Sequence, residues 1–232
     1  MSPETLLERM WEERATAILR THNHDVARDA MTAAIDGGFR FIEFTLHCPR
    51  PFDLIESFAK KDGIVVGAGT VLQPDDARRA IESGASFIVS PVLDEDVVGT
   101  TLEHGAVAMP GVRTPTEMVQ AHRMGAAMQK LFPAPTNGPA YVRATLGPLP
   151  FLRLVPTYGV NAENVGEYIA SNVFAVGFVS PVFPTDVLAD RNFTEVERLA
   201  REALTATRAV QRPAQPRGHD PFACTPSDTP LA

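Results

Sequence analysis

Residues 15–46 read ATAILRTHNHDVARDAMTAAIDGGFRFIEFTL and contain one complete strand–helix–strand unit. Two short apolar runs, at 15–20 and 39–46, flank a segment of helical composition that ends in Gly-Gly, a common stop at the end of a helix. Both runs are apolar almost throughout, which is typical of strands that are buried on both faces. The pattern therefore predicts two parallel strands joined by a helix.

The same alternation continues along the chain. Further β-rich runs follow, separated by segments of helical composition, at 64–71, 86–92, 106–112, 127–133, 151–159 and 173–180. The resulting eight units favour an α/β fold of the closed (β/α)8 TIM-barrel type, because closure removes the exposed edges of a sheet. An open doubly wound sheet is the structural alternative.

Capping residues locate two helix starts. Ser2 and Pro3 predict a short N-terminal helix that covers one end of the barrel. Thr114 and Glu117 have the spacing of a capping box, in which each side chain binds the other residue's backbone N–H.

The chain of 232 residues has the length of one barrel domain, predicted at 1–210. Residues 211–232 contain five of the chain's 20 prolines and show no periodicity, so a Pro-rich disordered tail is predicted there. His219 and Cys224 lie in this segment and are expected to have no role.

The composition excludes several classes of protein. The net charge is −7 and no basic block stands out, which argues against a nucleic-acid partner. Two distant cysteines do not form a disulfide framework. The first residues include acids where a signal peptide would be basic, and no apolar stretch reaches the ~18 residues of a membrane helix. A cytoplasmic protein is expected.

Barrel enzymes carry their catalytic groups at the carboxyl ends of the strands. The polar residues late in each predicted strand are Arg20, Glu43, Thr45, His47, Thr70, Ser90, Arg113, Lys130, Thr157 and Ser180. Glu43 and Lys130 lie inside apolar runs, and a buried charge needs a partner or a shifted pKa. A desolvated lysine can attack carbonyl carbons while a carboxylate moves protons. A buried structural ion pair is the equally supported alternative.

Four segments, FIEFTL, VGAGTVL, MPGVRTPTE and KLFPA, resemble those of the 2-keto-3-deoxy-6-phosphogluconate (KDPG) and phosphogalactonate aldolases, in the same order and at similar spacing. The resemblance runs from residue 15 to residue 210. It implies a homotrimeric (β/α)8 barrel that forms an imine on a lysine and needs no metal or cofactor. Accordingly, His22, His24, His47 and Cys48 are not expected to bind a metal ion.

The resemblance also implies site residues. Lys130 matches the lysine that forms the Schiff base, and Glu43 matches the glutamate that shuttles protons. The other matched positions contact the substrate or form the barrel mouth: Arg20 near the carboxylate, Thr70 and Thr157 in the pyruvyl pocket, and Pro91 and Pro110-Gly111 at strand ends.

Two departures from the family pattern concern the substrate. His47 stands where the KDPG branch has an arginine, and Arg20 is expected to supply that charge. The Gly-Gly turns that hold phosphate in the family are replaced by Tyr158-Gly159 and by Gly177-Phe178-Val179-Ser180. If the two aromatic rings fill the anion site, a shorter or unphosphorylated 2-keto acid is preferred. In the alternative, Ser180 and the following helix still hold a phosphate in a shifted position. Gly159, Gly177, Ser180 and His47 are expected to contact the substrate.

The function predicted from these residues is a class I aldolase that cleaves a 2-keto-3-deoxy sugar acid, or 4-hydroxy-2-oxoglutarate, to pyruvate and an aldehyde. A non-catalytic trimeric barrel that has lost its phosphate site is the first alternative. Another phosphate-binding barrel, such as an epimerase or a thiamin-phosphate synthase, is the second, and it would require phosphate-binding glycines that this chain lacks.

Overall fold

The computed structural model describes residues 1–211. The predicted tail therefore lies outside the described residues, apart from its first residue. No helix within the described range is long and apolar enough to cross a bilayer.

Every run that was predicted as a strand contains one, and the run at 106–112 contains two. The strands of the described range are β1 (Ala15–Leu19), β2 (Phe41–Thr45), β3 (Val65–Gly69), β4 (Phe87–Val89), β5 (Val107–Met109), β6 (Gly111–Val112), β7 (Gln129–Leu131), β8 (Leu154–Pro156) and β9 (Val176–Phe178). Pro110 separates β5 from β6 because proline has no N–H to give to a ladder.

The strands pair in parallel and form a curled sheet. Six of them run in the order β5-β4-β3-β2-β1-β9, and the other three in the order β6-β7-β8. On one side the two groups are connected along the chain, where β5 leads through Pro110 into β6, and on the other by a parallel bridge between Thr157 and Gly177. The α/β class is confirmed.

Helices follow the strands in alternation. They are α1 (Pro3–Glu13), α2 (His24–Asp36), α3 (Pro51–Ala59), α4 (Pro74–Glu82), α5 (Glu95–Glu103), α6 (Pro115–Arg123), α7 (Gly138–Leu146), α8 (Val165–Ala170), α9 (Thr185–Ala189) and α10 (Phe193–Ala209). Both predicted helix starts are confirmed: Ser2 caps α1, and Thr114 and Glu117 form the capping box of α6.

Alternate side chains of the strands enter two separate cores. On β2, Ile42 and Phe44 pack in an outer core between the sheet and the helices, whereas Phe41 belongs to an inner core. Leu6 and Met10 of α1 are buried in that inner core, next to the first residues of several strands. Thus α1 covers the amino ends of the strands, and the opposite end of the inner face is left for polar side chains.

Candidate active site

Glu43 lies on the inner face of β2, one pleat beyond Phe41, and is 0% exposed. Neither of its carboxylate oxygens has a hydrogen-bond partner within the described residues. Burial raises the pKa of Glu43, and the charges of Lys130 and Arg20 oppose that rise. A buried carboxyl whose oxygens are both unoccupied can exchange a proton with a group that enters beside it.

Gly69 provides the space that the Glu43 carboxyl occupies. It pairs with Thr45 in the β2–β3 register, and a Cβ atom at this position would overlap Oε1 of Glu43. This contact between Gly69 and Glu43 was not predicted, because GAGTV was interpreted only as a family motif. A glycine inside an apolar strand was the available indication, because such a glycine often marks a close approach.

Lys130 lies on β7, between Gly111 of β6 and Val155 of β8, and is 6% exposed. Burial lowers the pKa of Lys130; the charge of Glu43 opposes this, and that of Arg20 adds to it. The ammonium nitrogen lies 5.1 Å from the centroid of the Phe132 ring. Low polarity around the amine favours its neutral form, which is the nucleophilic one.

Glu43 and Lys130 therefore influence each other electrostatically without a hydrogen bond between them. A buried structural ion pair normally satisfies its oxygens with direct hydrogen bonds. Among the described residues, the Glu43 oxygens thus lack the direct hydrogen bonds of a structural ion pair, the alternative that spacing alone left open.

The other predicted residues lie around the same end of the strands. Thr157 is buried beyond β8, and its Oγ1 would lie only 2.6 Å from a Cβ atom on Gly177. Thr70, half-buried, directly follows β3, and Arg20, exposed, directly follows β1. Of the predicted basic groups, Arg20 acts on the pKa of both Glu43 and Lys130, whereas His47 is not among the charges that shift them.

The remaining predicted positions form the rim. His47, Gly159 and Ser180 are exposed, and Pro91 is half-buried with its carbonyl group against Gly111. Within the described range, no group of three or more His, Cys, Asp or Glu side chains is placed to hold a metal ion.

The expectation that both aromatic rings fill the anion site is wrong for Phe178. Gly177 faces Thr157 on the inner side of β9, so strand alternation turns Phe178 outward. The Phe178 ring is 0% exposed and packs edge-on against Phe39 in the outer core, with ring centroids 6.1 Å apart. Tyr158, in contrast, stands at the rim and is 65% exposed.

Comparison with known proteins gives consistent matches. The family model described as "Aldolase: KDPG and KHG aldolase" matches residues 6–199. The 2-dehydro-3-deoxy-phosphogluconate aldolase of Pseudomonas aeruginosa is 36% identical over 179 residues, covering 76% of this chain and 80% of the relative. A probable 2-dehydro-3-deoxy-6-phosphogalactonate aldolase of Rhizobium meliloti is 34% identical over 202 residues, covering 86% of this chain and 93% of the relative.

A solved structure also resembles this chain. The KDPG aldolase of Legionella pneumophila, with pyruvate captured at low pH as a covalent carbinolamine intermediate, superposes with a TM-score of 0.74. The two chains are 26% identical, and the match covers 82% of this chain and 93% of that one. Together with the family match over most of the sequence, these similarities show that the chain belongs to the KDPG and KHG aldolases, a family of carbon–carbon lyases.

Proposed function

We propose that this protein is a class I aldolase that cleaves a 2-keto-3-deoxy sugar acid through an imine on Lys130. The observation that carries the proposal is a buried lysine beside a buried carboxyl, at the carboxyl ends of parallel strands, whose oxygens have no hydrogen-bond partner among residues 1–211. The covalent pyruvate adduct of the Legionella pneumophila relative supports the same chemistry here.

The reaction begins when the neutral amine of Lys130 attacks the C2 carbonyl carbon. Glu43 gives its proton to the hydroxyl group of the resulting carbinolamine, and loss of water leaves an iminium ion, which can accept an electron pair. Glu43 removes the proton of the C4 hydroxyl group, and the O–H electrons form the new C4 carbonyl. The C3–C4 bond then breaks, and its electrons neutralise the iminium as an enamine while the aldehyde leaves.

The second half returns the enzyme to its starting state. The proton held by Glu43 is delivered to C3 of the enamine, which restores the iminium of pyruvate. Water adds to C2 and gives one proton to Glu43, pyruvate leaves, and Lys130 is again a free amine. The water taken up here balances the water released when the imine formed.

The neighbouring residues have simpler roles in this proposal. Thr70 and Thr157 line the pyruvyl pocket, and Arg20 binds the substrate carboxylate, since a guanidinium matches that planar group in shape and charge. His47, Pro91, Gly159, Gly177 and Ser180 border the path of the rest of the substrate.

We further propose that the curled sheet of each chain closes into a (β/α)8 barrel. We also propose that three such chains form a homotrimer and that the protein is cytoplasmic. The bridge between Thr157 and Gly177 and the continuous segment from β5 through Pro110 to β6 support closure. The trimer and the compartment rest on family resemblance. Light scattering of the purified protein tests the trimer, and a monomer would contradict it.

Incubation with pyruvate and borohydride tests the lysine assignment. One reduced pyruvyl group should appear on Lys130 by mass spectrometry, because borohydride reduces an imine to a stable amine. Lys130→Arg should abolish labelling and pyruvate release while the melting temperature changes little. Continued labelling of the variant would overturn the assignment, and a wild-type protein without labelling would favour a non-catalytic barrel.

A further inference from the structure

Two backbone N–H groups of the loop after β9 are not free to bind a phosphate group. A phosphate at such a turn is held by free backbone N–H groups. Here the N–H groups of Val182 and Phe183 both donate to the carbonyl of Val179, at 3.2 and 2.9 Å. Pro181 and Pro184 have no N–H to offer.

The side chains of that loop fix it in this conformation. Val182 is 0% and Phe183 5% exposed, and both are buried in the outer core. Freeing their N–H groups for an anion would withdraw two apolar side chains from that core. The following helix α9 has only five residues and carries Asp186, whose carboxylate repels an anion, in its first turn.

The turn after β8 carries a different substitution. Tyr158 has φ 73° and Gly159 has φ 80°, so both lie in the left-handed region that favours glycine. A tyrosine in this region is strained, and such strain concentrates at functional sites. Packing within the chain does not account for it, because the Tyr158 side chain is mostly exposed.

The Tyr158 ring extends a continuous aromatic wall from the reactive amine to the rim. Its edge meets Phe132, with ring centroids 6.5 Å apart and an interplanar angle of 80°. The ammonium nitrogen of Lys130 lies over the ring of Phe132. A substrate bound to Lys130 would therefore have its distal carbons beside Phe132 and Tyr158.

We propose that Tyr158 selects a 2-keto-3-deoxy sugar acid with an uncharged, unphosphorylated tail, whose C–H groups pack on the ring. Aromatic rings contribute apolar contact area and no positive charge, which suits a neutral polyol better than a phosphate dianion or a second carboxylate. This inference rests on the proposed function, because it places C2 of the substrate at Lys130.

The test compares kcat/KM for 2-keto-3-deoxygluconate and for its 6-phosphate, measured by pyruvate release. The wild-type enzyme should turn over the unphosphorylated acid at least as well as the phosphate. Tyr158→Gly should move the ratio toward the phosphate by about 10-fold or more, equivalent to about 1.4 kcal/mol of transition-state binding. Tyr158→Phe should keep the wild-type ratio, because the ring and not the hydroxyl makes the contact.

Asn172→Gly is the matched control. Asn172 also has a positive φ, of 66°, but it lies in the loop that leads into the amino end of β9, so its replacement relieves strain without touching the rim. Its substrate ratio should equal that of wild type. The inference is overturned by a wild-type preference for the phosphate, or by a ratio that Tyr158→Gly leaves unchanged.

The two levels of the proposal can fail separately. If pyruvate and borohydride label Lys130 but neither sugar acid is cleaved, the choice of tail is wrong and the lysine chemistry stands. If Lys130 is not labelled, the proposed function itself is wrong.

Discussion

The two ends of the inner face of the sheet carry different kinds of side chain. At the amino end, Phe41, Leu6 and Met10 are buried together in an apolar cluster. One pleat further along β2, Glu43 is equally buried, but neither of its oxygens has a hydrogen-bond partner in the described part of the chain. One strand thus stabilises the fold through Phe41 at one end and carries a reactive group, Glu43, at the other. Burying that carboxyl lowers the stability of the protein. Each substitution below should therefore affect mainly stability or mainly turnover.

Phe41→Ala tests the apolar end and should have the largest effect. Loss of a fully buried phenylalanine leaves a cavity and should lower the free energy of unfolding by about 3–5 kcal/mol. Urea denaturation measures this change. The folded fraction should retain kcat near the wild-type value, and a kcat loss as large as that of an active-site variant would show that the two ends are not separable.

Glu43→Gln tests the polar end. We expect kcat for pyruvate release to fall on the order of 10²-fold or more, because a general acid/base is removed. The melting temperature should stay the same or rise, since a neutral amide is easier to bury than a carboxylate. Activity close to wild type would mean that Glu43 is only structural.

Gly69→Ala should reproduce part of that loss without touching Glu43 itself, because a Cβ there overlaps the carboxyl. The kcat should fall by about 10-fold, while borohydride trapping of pyruvate on Lys130 continues. The shorter side chain of Glu43→Asp should suffer less from the added methyl group, so the two changes together should be less than additive. Gly99→Ala, where a Cβ meets nothing within 4 Å, is the control.

The stability of the protein should depend on pH through Glu43 at the polar end. Because burial raises the pKa of Glu43, its protonated form is the one that the fold favours. Its contribution to stability is complete below the unfolded pKa of about 4.5 and is lost as the pH rises through the folded pKa. The melting temperature of Glu43→Gln minus that of wild type should increase from pH 4 to pH 7. A constant difference would contradict the raised pKa.

Deletion of residues 212–232 should have the smallest effect. A Pro-rich segment without periodicity buries little surface, so the melting temperature and kcat should stay within experimental error. A marked loss of stability would show that this segment packs against the domain.

The strands could be predicted, and Glu43 and Lys130 could be singled out as candidates, because both leave a local signal in the sequence. Continuous apolar runs are typical of parallel strands, and an acid or lysine within such a run is costly enough to require a reason. The direction of the Phe178 side chain could also have been predicted, since strand alternation from Gly177 turns its ring to the outer core. It was instead predicted from the family resemblance alone.

Other features could not be obtained from local pattern. Gly69 makes room for Glu43 only because of the register between β2 and β3. The strain at Tyr158 arises because its turn requires a positive φ, which glycine adopts more easily. Whether the N–H groups of Val182 and Phe183 are engaged in the loop after β9 depends on the directions of these two side chains. Each of these is a fact about neighbours in space, which a single sequence without its partners does not encode.

The break at Pro110 has a consequence for local opening of the structure. Because Pro110 carries no amide hydrogen, the junction beside it is held by the amide of Lys130, which donates to the Pro110 carbonyl at 2.9 Å, and by that of Gly111, which donates to Val92 at 3.2 Å. Deuterium uptake at these two amides therefore reports how often the sheet parts at that seam. Since one of them belongs to Lys130, which we propose forms the imine, each such opening also displaces the backbone that carries its amine.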